Sequence, residues 1–195
     1  MTMREIGRIK QVQIQRASLK FGERTARYYD PTPLLVVDTL TLSPDGAFGS
    51  IGDGGYVIDV HHVSHPGSRN RGDNWISVGF TSHYRDMRAR FGDHLVDGCA
   101  GENILVESDE PFTPSTLGKR LAIRNASTGE NVLFVSIIAA PPCVEFSQFA
   151  ARQSLSPEQT KETLQFLDNG MRGFYARLDG EMGIVRAGDT LYVME

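Results

Sequence analysis

The chain has 195 residues, 40% of them apolar and 23% charged. That is ordinary globular usage; it excludes a disordered polymer and allows a core without disulfide support. The formal net charge of −4 argues against general binding to a phosphate backbone, so no nucleic-acid partner is expected.

Ile9, Val12 and Ile14 place a first strand over residues 6–14. Residues 34–42 (LLVVDTLTL) follow Pro31 and Pro33 and predict a β run closed by the turn Ser43-Pro44-Asp45-Gly46. Residues 56–63, with Val57, Ile58, Val60 and Val63, predict another strand. Thr81 or Ser82 can cap a helix through Arg90, with Tyr84, Met87 and Phe91 as its apolar stripe and Gly92 as a left-handed stop. Residues 103–107, 120–124 and 132–138 predict strands, the last two joined by a hairpin at Ser127-Thr128-Gly129-Glu130. Ser156, Pro157 and Gln159 form a capping box that opens a helix with Leu164, Phe166 and Leu167 on its buried side and Asn169-Gly170 at its end. Strands over 174–178 and 190–193 finish the chain. Seven or more short strands and two helices predict a mainly β barrel or sandwich, not a doubly wound sheet.

No apolar run of about 18 residues occurs, and residues 1–10 hold no h-region. The expectation is a cytoplasmic protein without a membrane partner. Two cysteines, Cys99 and Cys143, fit a reducing compartment.

Four places can carry chemistry. Cys143 follows a strand and Pro141-Pro142, which makes it either a rigidly presented thiol or a small buried hydrophobe. Cys99 has no cation beside it to lower its pKa. Gly101-Glu102-Asn103-Ile104 allows close backbone approach to a ligand, with Glu102 and Asn103 to orient it; the same residues also suit a plain turn. Arg172 can aim its fork at an anion or satisfy the last carbonyls of the helix before it. The segment 61–74 holds His61, His62, His65, Arg69, Asn70 and Arg71, enough to wrap an oxyanion, to bind a metal, or to form a solvated loop. The four-residue spacing of His61 and His65 aligns ligands only on a helix, and this segment reads as strand. All five histidines fall within 34 residues, and sixteen Arg stand against four Lys. No dinucleotide fingerprint, Walker loop or nucleophile elbow is present.

Taken in order, Gly101-Glu102-Asn103-Ile104, Leu117-Gly118, Pro142-Cys143, Arg172-Gly173-Phe174-Tyr175-Ala176 and the string Gly183-Ile184-Val185-Arg186-Ala187-Gly188-Asp189 resemble the MOSC domain, the C-terminal module of molybdenum cofactor sulfurases that also occurs alone in bacteria. The resemblance covers residues 34–195 and implies one domain over 1–195: a closed β-barrel of the pyruvate-kinase β-barrel-like type with a few peripheral helices. It implies that Cys143 carries sulfur as a persulfide or ligates molybdenum, and that Gly101, Glu102, Asn103 and Arg172 line one pocket. The family is linked to a molybdenum cofactor (molybdopterin); the residues expected to hold it here are Arg69, Asn70, Arg71 and Arg172, with proton transfer by His62 or His65 and a sulfur donor or electron-transfer protein as partner. Pyridoxal phosphate is attached to the family only through its sulfurase relatives. Two departures stand out: no Arg precedes Pro142-Cys143, and Gly52-Asp53 is not followed by the family's histidine. The expected activity is that of a molybdenum-dependent reductase or a sulfurtransferase. The alternatives are a barrel that binds an anionic small molecule without catalysis, and a metal enzyme built on His61, His62 and His65.

Overall fold

The computed structural model describes residues 2–52, 54–68 and 75–195. In chain order the strands are β1 (Met3–Gln15), β2 (Lys20–Phe21), β3 (Tyr28–Tyr29), β4 (Leu34–Val37), β5 (Thr39–Ser43), β6 (Gly46–Ile51), β7 (Gly55–Ile58), β8 (Trp75–Phe80), β9 (Ile104–Val106), β10 (Arg120–Arg124), β11 (Asn131–Ala139), β12 (Phe174–Leu178), β13 (Gly183–Val185) and β14 (Thr190–Met194). The helices are α1 (Thr81–Phe91), α2 (Pro114–Leu117), α3 (Val144–Ala151) and α4 (Pro157–Leu167).

Seven strands close into a barrel in the order β1-β14-β10-β11-β12-β8-β9-β1. Closure leaves the ring without an open edge. All its pairings are antiparallel except β8 with β9, which α1 joins as a crossover. β4 hangs on β1 outside the ring, and β13, β5, β6 and β7 form a second sheet. The mainly β barrel expected from the sequence is the observed fold.

Alternation fills the barrel. Ile9, Val12, Ile76, Val78, Ile104, Phe134, Phe174 and Leu191 are all buried in one cluster. A second cluster lies between the barrel wall and the helices, built from Tyr29, Tyr84, Met87, Leu95, Phe146, Ala150 and Leu167, with Cys143 partly buried against it.

Several local expectations are corrected. The run 34–42 is two strands in two sheets: Val37 pairs with Val12, whereas Thr39 pairs with Ser50. The strand expected over 56–63 stops at Ile58, because the buried Asp59 carboxylate accepts the His61 N–H (2.9 Å) and so builds a turn. His61 and His62 therefore lie in turns. α1 is capped at Phe80 without a side-chain bond; the Thr81 hydroxyl instead donates to the Ser108 carbonyl. Gly92 ends α1 with φ 111° and ψ 165°, outside the left-handed helical region, while its N–H reaches the Arg88 carbonyl. The α4 capping box is present as expected. α3, directly after Cys143, was not foreseen.

One row of strand partners, Ala139–Phe174–Val78–Ile104–Val12, runs round the wall. Just beyond that row lie the segment 140–143 after β11, Arg172-Gly173 before β12, residues 100–103 before β9, and the end of β1. The topology thus collects four distant pieces of sequence at one mouth of the barrel.

Candidate functional site at the barrel mouth

Cys143 occupies the N-cap position of α3 with extended backbone, φ −135° and ψ 153°. Its carbonyl accepts the N–H (3.0 Å) and the hydroxyl (2.9 Å) of Ser147, which fixes the helix start. The thiol is half-buried and lies at the positive end of the α3 dipole.

The Arg172 guanidinium holds the sulfur. Arg172 Nη1 donates to Cys143 Sγ at 3.5 Å, and Nη2 donates to the Ala100 carbonyl at 2.7 Å. The guanidinium lies over the Phe146 ring, 4.5 Å from its centre. Burial opposes the Arg172 charge, but Tyr29, Cys143, Tyr175 and Glu102 outweigh it and hold its pKa above the ordinary value. Its Nε is shielded from solvent and has no hydrogen-bond partner among the described residues. Glu145, in the first turn of α3 and two residues beyond Cys143, pairs with Lys20 Nζ at 3.1 Å. Burial pushes the Glu145 carboxyl up; its own backbone N–H, Lys20 and Cys143 together bring it below the usual range.

Gly173 makes the Arg172 turn possible. Its φ is 95°, and a Cβ there would lie 2.6 Å from the Val78 carbonyl oxygen. Gly101 has φ 97°, a backbone region that favours glycine, and a Cβ there would press on the side-chain ends Leu19 Cδ1 (2.8 Å) and Gln15 Nε2 (3.0 Å).

Glu102 lies beneath this layer and is 3% exposed. The Tyr84 hydroxyl reaches both its carboxylate oxygens, at 2.7 and 2.9 Å, and itself accepts the Ala100 N–H at 2.9 Å. Burial raises the Glu102 pKa, against the lowering effects of Tyr84, its own N–H and Arg172. Asn103 is also buried; its amide bridges the Gln13 carbonyl (3.2 Å) and Asp59 (3.1 Å), and its Oδ1 accepts from the Ser77 hydroxyl (2.9 Å). Glu102 and Asn103 thus brace the loop from below, while Gly101 offers its carbonyl to Gln15 Nε2 at 2.9 Å. Cys99 is buried, and burial first, then Glu102, pushes its thiol up to about 12, which disfavours the thiolate.

The structure therefore brings Cys143, Arg172 and the 100–102 loop together. The hydrogen bonds of His62 and His65 run elsewhere. His62 Nδ1 accepts the Ser64 N–H at 3.1 Å; His65 Nδ1 accepts the Gly67 N–H at 3.0 Å, and its Nε2 meets the Arg16 carbonyl at 3.1 Å. Among the described residues no three His, Cys, Asp or Glu side chains are placed to hold a metal ion. Arg69, Asn70 and Arg71 lie outside the described residues. Sequence reasoning missed Glu145, Lys20 and Tyr84. An acidic residue two places after a cysteine at a helix start was the available signal, but it required α3 to be foreseen.

No family model and no curated protein matches the chain. Solved structures do. The YuaD protein from Bacillus subtilis superposes with a TM-score of 0.58 at 12% identity, over 100% of this chain and 99% of that one. A hypothetical protein gives 0.56 at 14%, over 99% of this chain and 70% of its own. YiiM from Geobacillus stearothermophilus gives 0.49 at 16%, over 100% and 76%. The chain shares the YuaD barrel fold. No helix among the described residues is long and apolar enough to cross a membrane.

Proposed function

We propose that the chain is a stand-alone MOSC-type barrel protein that accepts sulfane sulfur on Cys143. The observation that carries this reading is a half-buried thiol at the start of α3 to which the Arg172 guanidinium donates at 3.5 Å. The barrel fold and the order of the sequence motifs support it. Glu145 takes the thiol proton, and Lys20 keeps its carboxylate in place. The thiolate attacks the outer sulfur of a persulfide donor R–S–SH. The donor S–S bond breaks, a new S–S bond forms on Cys143, and the departing R–S⁻ takes the proton from Glu145. The products are the Cys143 persulfide and RSH, with no net oxidation. Arg172 and the α3 N-terminus stabilise negative charge on sulfur throughout.

A second reading, the molybdenum cofactor that the family resemblance implies, is favoured by the orphaned Arg172 Nε. A thiolate suits a soft metal, and a shielded N–H without an acceptor suits an anionic group. Cys143 and Arg172 would hold it, and when bound it would supply two-electron redox chemistry. Pyridoxal phosphate would need a lysine free to form an imine, and the lysine that reaches the Cys143 cluster, Lys20, is paired with Glu145.

The test is incubation with a persulfide donor followed by intact-protein mass spectrometry. Wild type gains one sulfur atom that cyanide removes, and Cys143→Ala gains none. Arg172→Met is expected to slow the gain at least tenfold, the equivalent of about 1.4 kcal/mol. Equal labelling of wild type and Cys143→Ala would remove Cys143 from the reaction.

A further inference from the structure

The peptide bond between Cys99 and Ala100 is gripped by two phenols from different elements. Tyr29, on β3, donates its hydroxyl proton to the Cys99 carbonyl at 2.8 Å. Tyr84, on α1, accepts the Ala100 N–H at 2.9 Å. A phenol has one proton and can take either role. Glu102 decides it for Tyr84: the hydroxyl gives its proton to the carboxylate, at 2.7 and 2.9 Å, and keeps its lone pairs for the Ala100 N–H. Burial holds both phenols well above their ordinary value, so both stay protonated where a thiol titrates. The next peptide is pinned as well, since the Gly101 N–H donates to the Gly98 carbonyl at 3.0 Å. The Ala100 carbonyl then accepts Arg172 Nη2 at 2.7 Å, while Nη1 reaches Cys143 Sγ at 3.5 Å. Among the described residues these are the two hydrogen bonds of the guanidinium; its Nε has none, and its face rests on Phe146. One backbone oxygen therefore sets the place of the cation against the sulfur, and any movement of that oxygen passes to the Nη1–Sγ distance.

We infer that Tyr29 and Tyr84 are positioning residues for the Cys143 thiol: by clamping the Cys99–Ala100 peptide they fix the Ala100 carbonyl, which aims Arg172 at the sulfur and so favours the thiolate. The inference rests on the sulfur-acceptor reading for what that thiolate then does, and adds to it the device that controls the thiol. A phenol that only filled the core would need one hydrogen-bond partner anywhere. These two meet at opposite ends of one peptide, one as donor and the other as acceptor, on the residue whose oxygen holds the guanidinium.

The test reads the thiol without any sulfur donor. Alkylation of Cys143 by iodoacetamide is followed by peptide mass spectrometry from about pH 6 to about pH 10 in wild type, Tyr29→Phe and Tyr84→Phe. Each variant is expected to move the inflection upward and to lower the rate at neutral pH about threefold to tenfold, the effect of one hydrogen bond, with the plateau rate at high pH unchanged. A role in packing alone would lower the urea midpoint and leave the inflection in place. Tyr29→Phe keeps the Tyr84–Glu102 pair, so it decides the matter if Tyr84→Phe, which strips a buried carboxylate of its donor, does not fold. In an Arg172→Met background neither substitution should add a further shift. A wild-type inflection in Tyr29→Phe, or an equal further shift without the guanidinium, would overturn the inference. One measurement needs no variant at the clamp. The Ala100 amide resonance should move with the Cys143 inflection and lose that step in Cys143→Ala; a resonance blind to the thiol would also overturn the inference. Moved inflections in a protein that gains no sulfur from a persulfide donor would keep the clamp and sink the sulfur-acceptor reading.

Discussion

His83 gives the sharpest prediction about stability. It is 1% exposed, on α1, with Phe80 and Phe174 against its ring. Its Nε2 accepts the Phe112 N–H at 2.9 Å, which leaves Nδ1 to carry the proton, shielded and without an acceptor among the described residues. Burial lowers its pKa from 6.5 to about 4, against weaker raising effects of the Phe112 N–H contact and Asp86. The unfolded chain therefore binds a proton at this residue below pH 6.5 that the folded chain refuses until about pH 4. Stability falls with pH across that window, by about 3 kcal/mol in full and roughly 2 kcal/mol between neutrality and pH 5. His83→Gln keeps an acceptor for the Phe112 N–H but does not titrate. Urea unfolding of both proteins at pH 7.5 and 5.0 isolates the effect, since other titrating groups act equally in both. Wild type should lose roughly 2 kcal/mol more than the variant on acidification. The same loss in both proteins, to within about 0.5 kcal/mol, would refute the linkage argument.

Gly173→Ala should lower stability by about 2–3 kcal/mol and change thiol labelling of Cys143, because φ 95° and the Val78 oxygen at 2.6 Å both oppose a Cβ. Gly52→Ala, with φ 47° and open space around it, is the control, and its loss in denaturation experiments should be about 1 kcal/mol. Glu102→Gln should flatten the alkaline side of the stability profile. The raised folded-state pKa of Glu102 means that its stabilising contribution is full below the ordinary value of 4.5 and is lost as pH rises through the folded value. The variant should therefore match or exceed wild type at pH 8 relative to pH 4.5, as read from denaturation midpoints.

The barrel was legible because its strands are short apolar β-forming runs bounded by turn residues: 120–124 and 174–178 matched their observed strands to the residue. α4 was legible because Ser156, Pro157 and Gln159 announce it. α3 has no such announcement, because Cys143 caps it without a side-chain bond. Cys143 and Arg172 could be singled out by residue type and position, but their 3.5 Å contact joins segments from different strand ends, and only the closed sheet brings them together. Glu102 was legible as a loop carboxylate; that it lies under the loop, bonded to Tyr84, depends on α1 crossing behind β9. Lys20 was invisible for the same reason, since a two-residue strand far upstream delivers it to Glu145.

The ring is sealed by the first strand meeting the last, Met3 opposite Met194 and Arg8 opposite Thr190. During synthesis on the ribosome β1 can pair with β4 and β9, but its other edge stays open until residues 190–194 emerge. Assembly is accordingly dominated by distant contacts and slow, with two raw β edges open to mispairing in the interval. Removing β14 would make that vulnerable intermediate permanent, and the shortened product should collect in inclusion bodies.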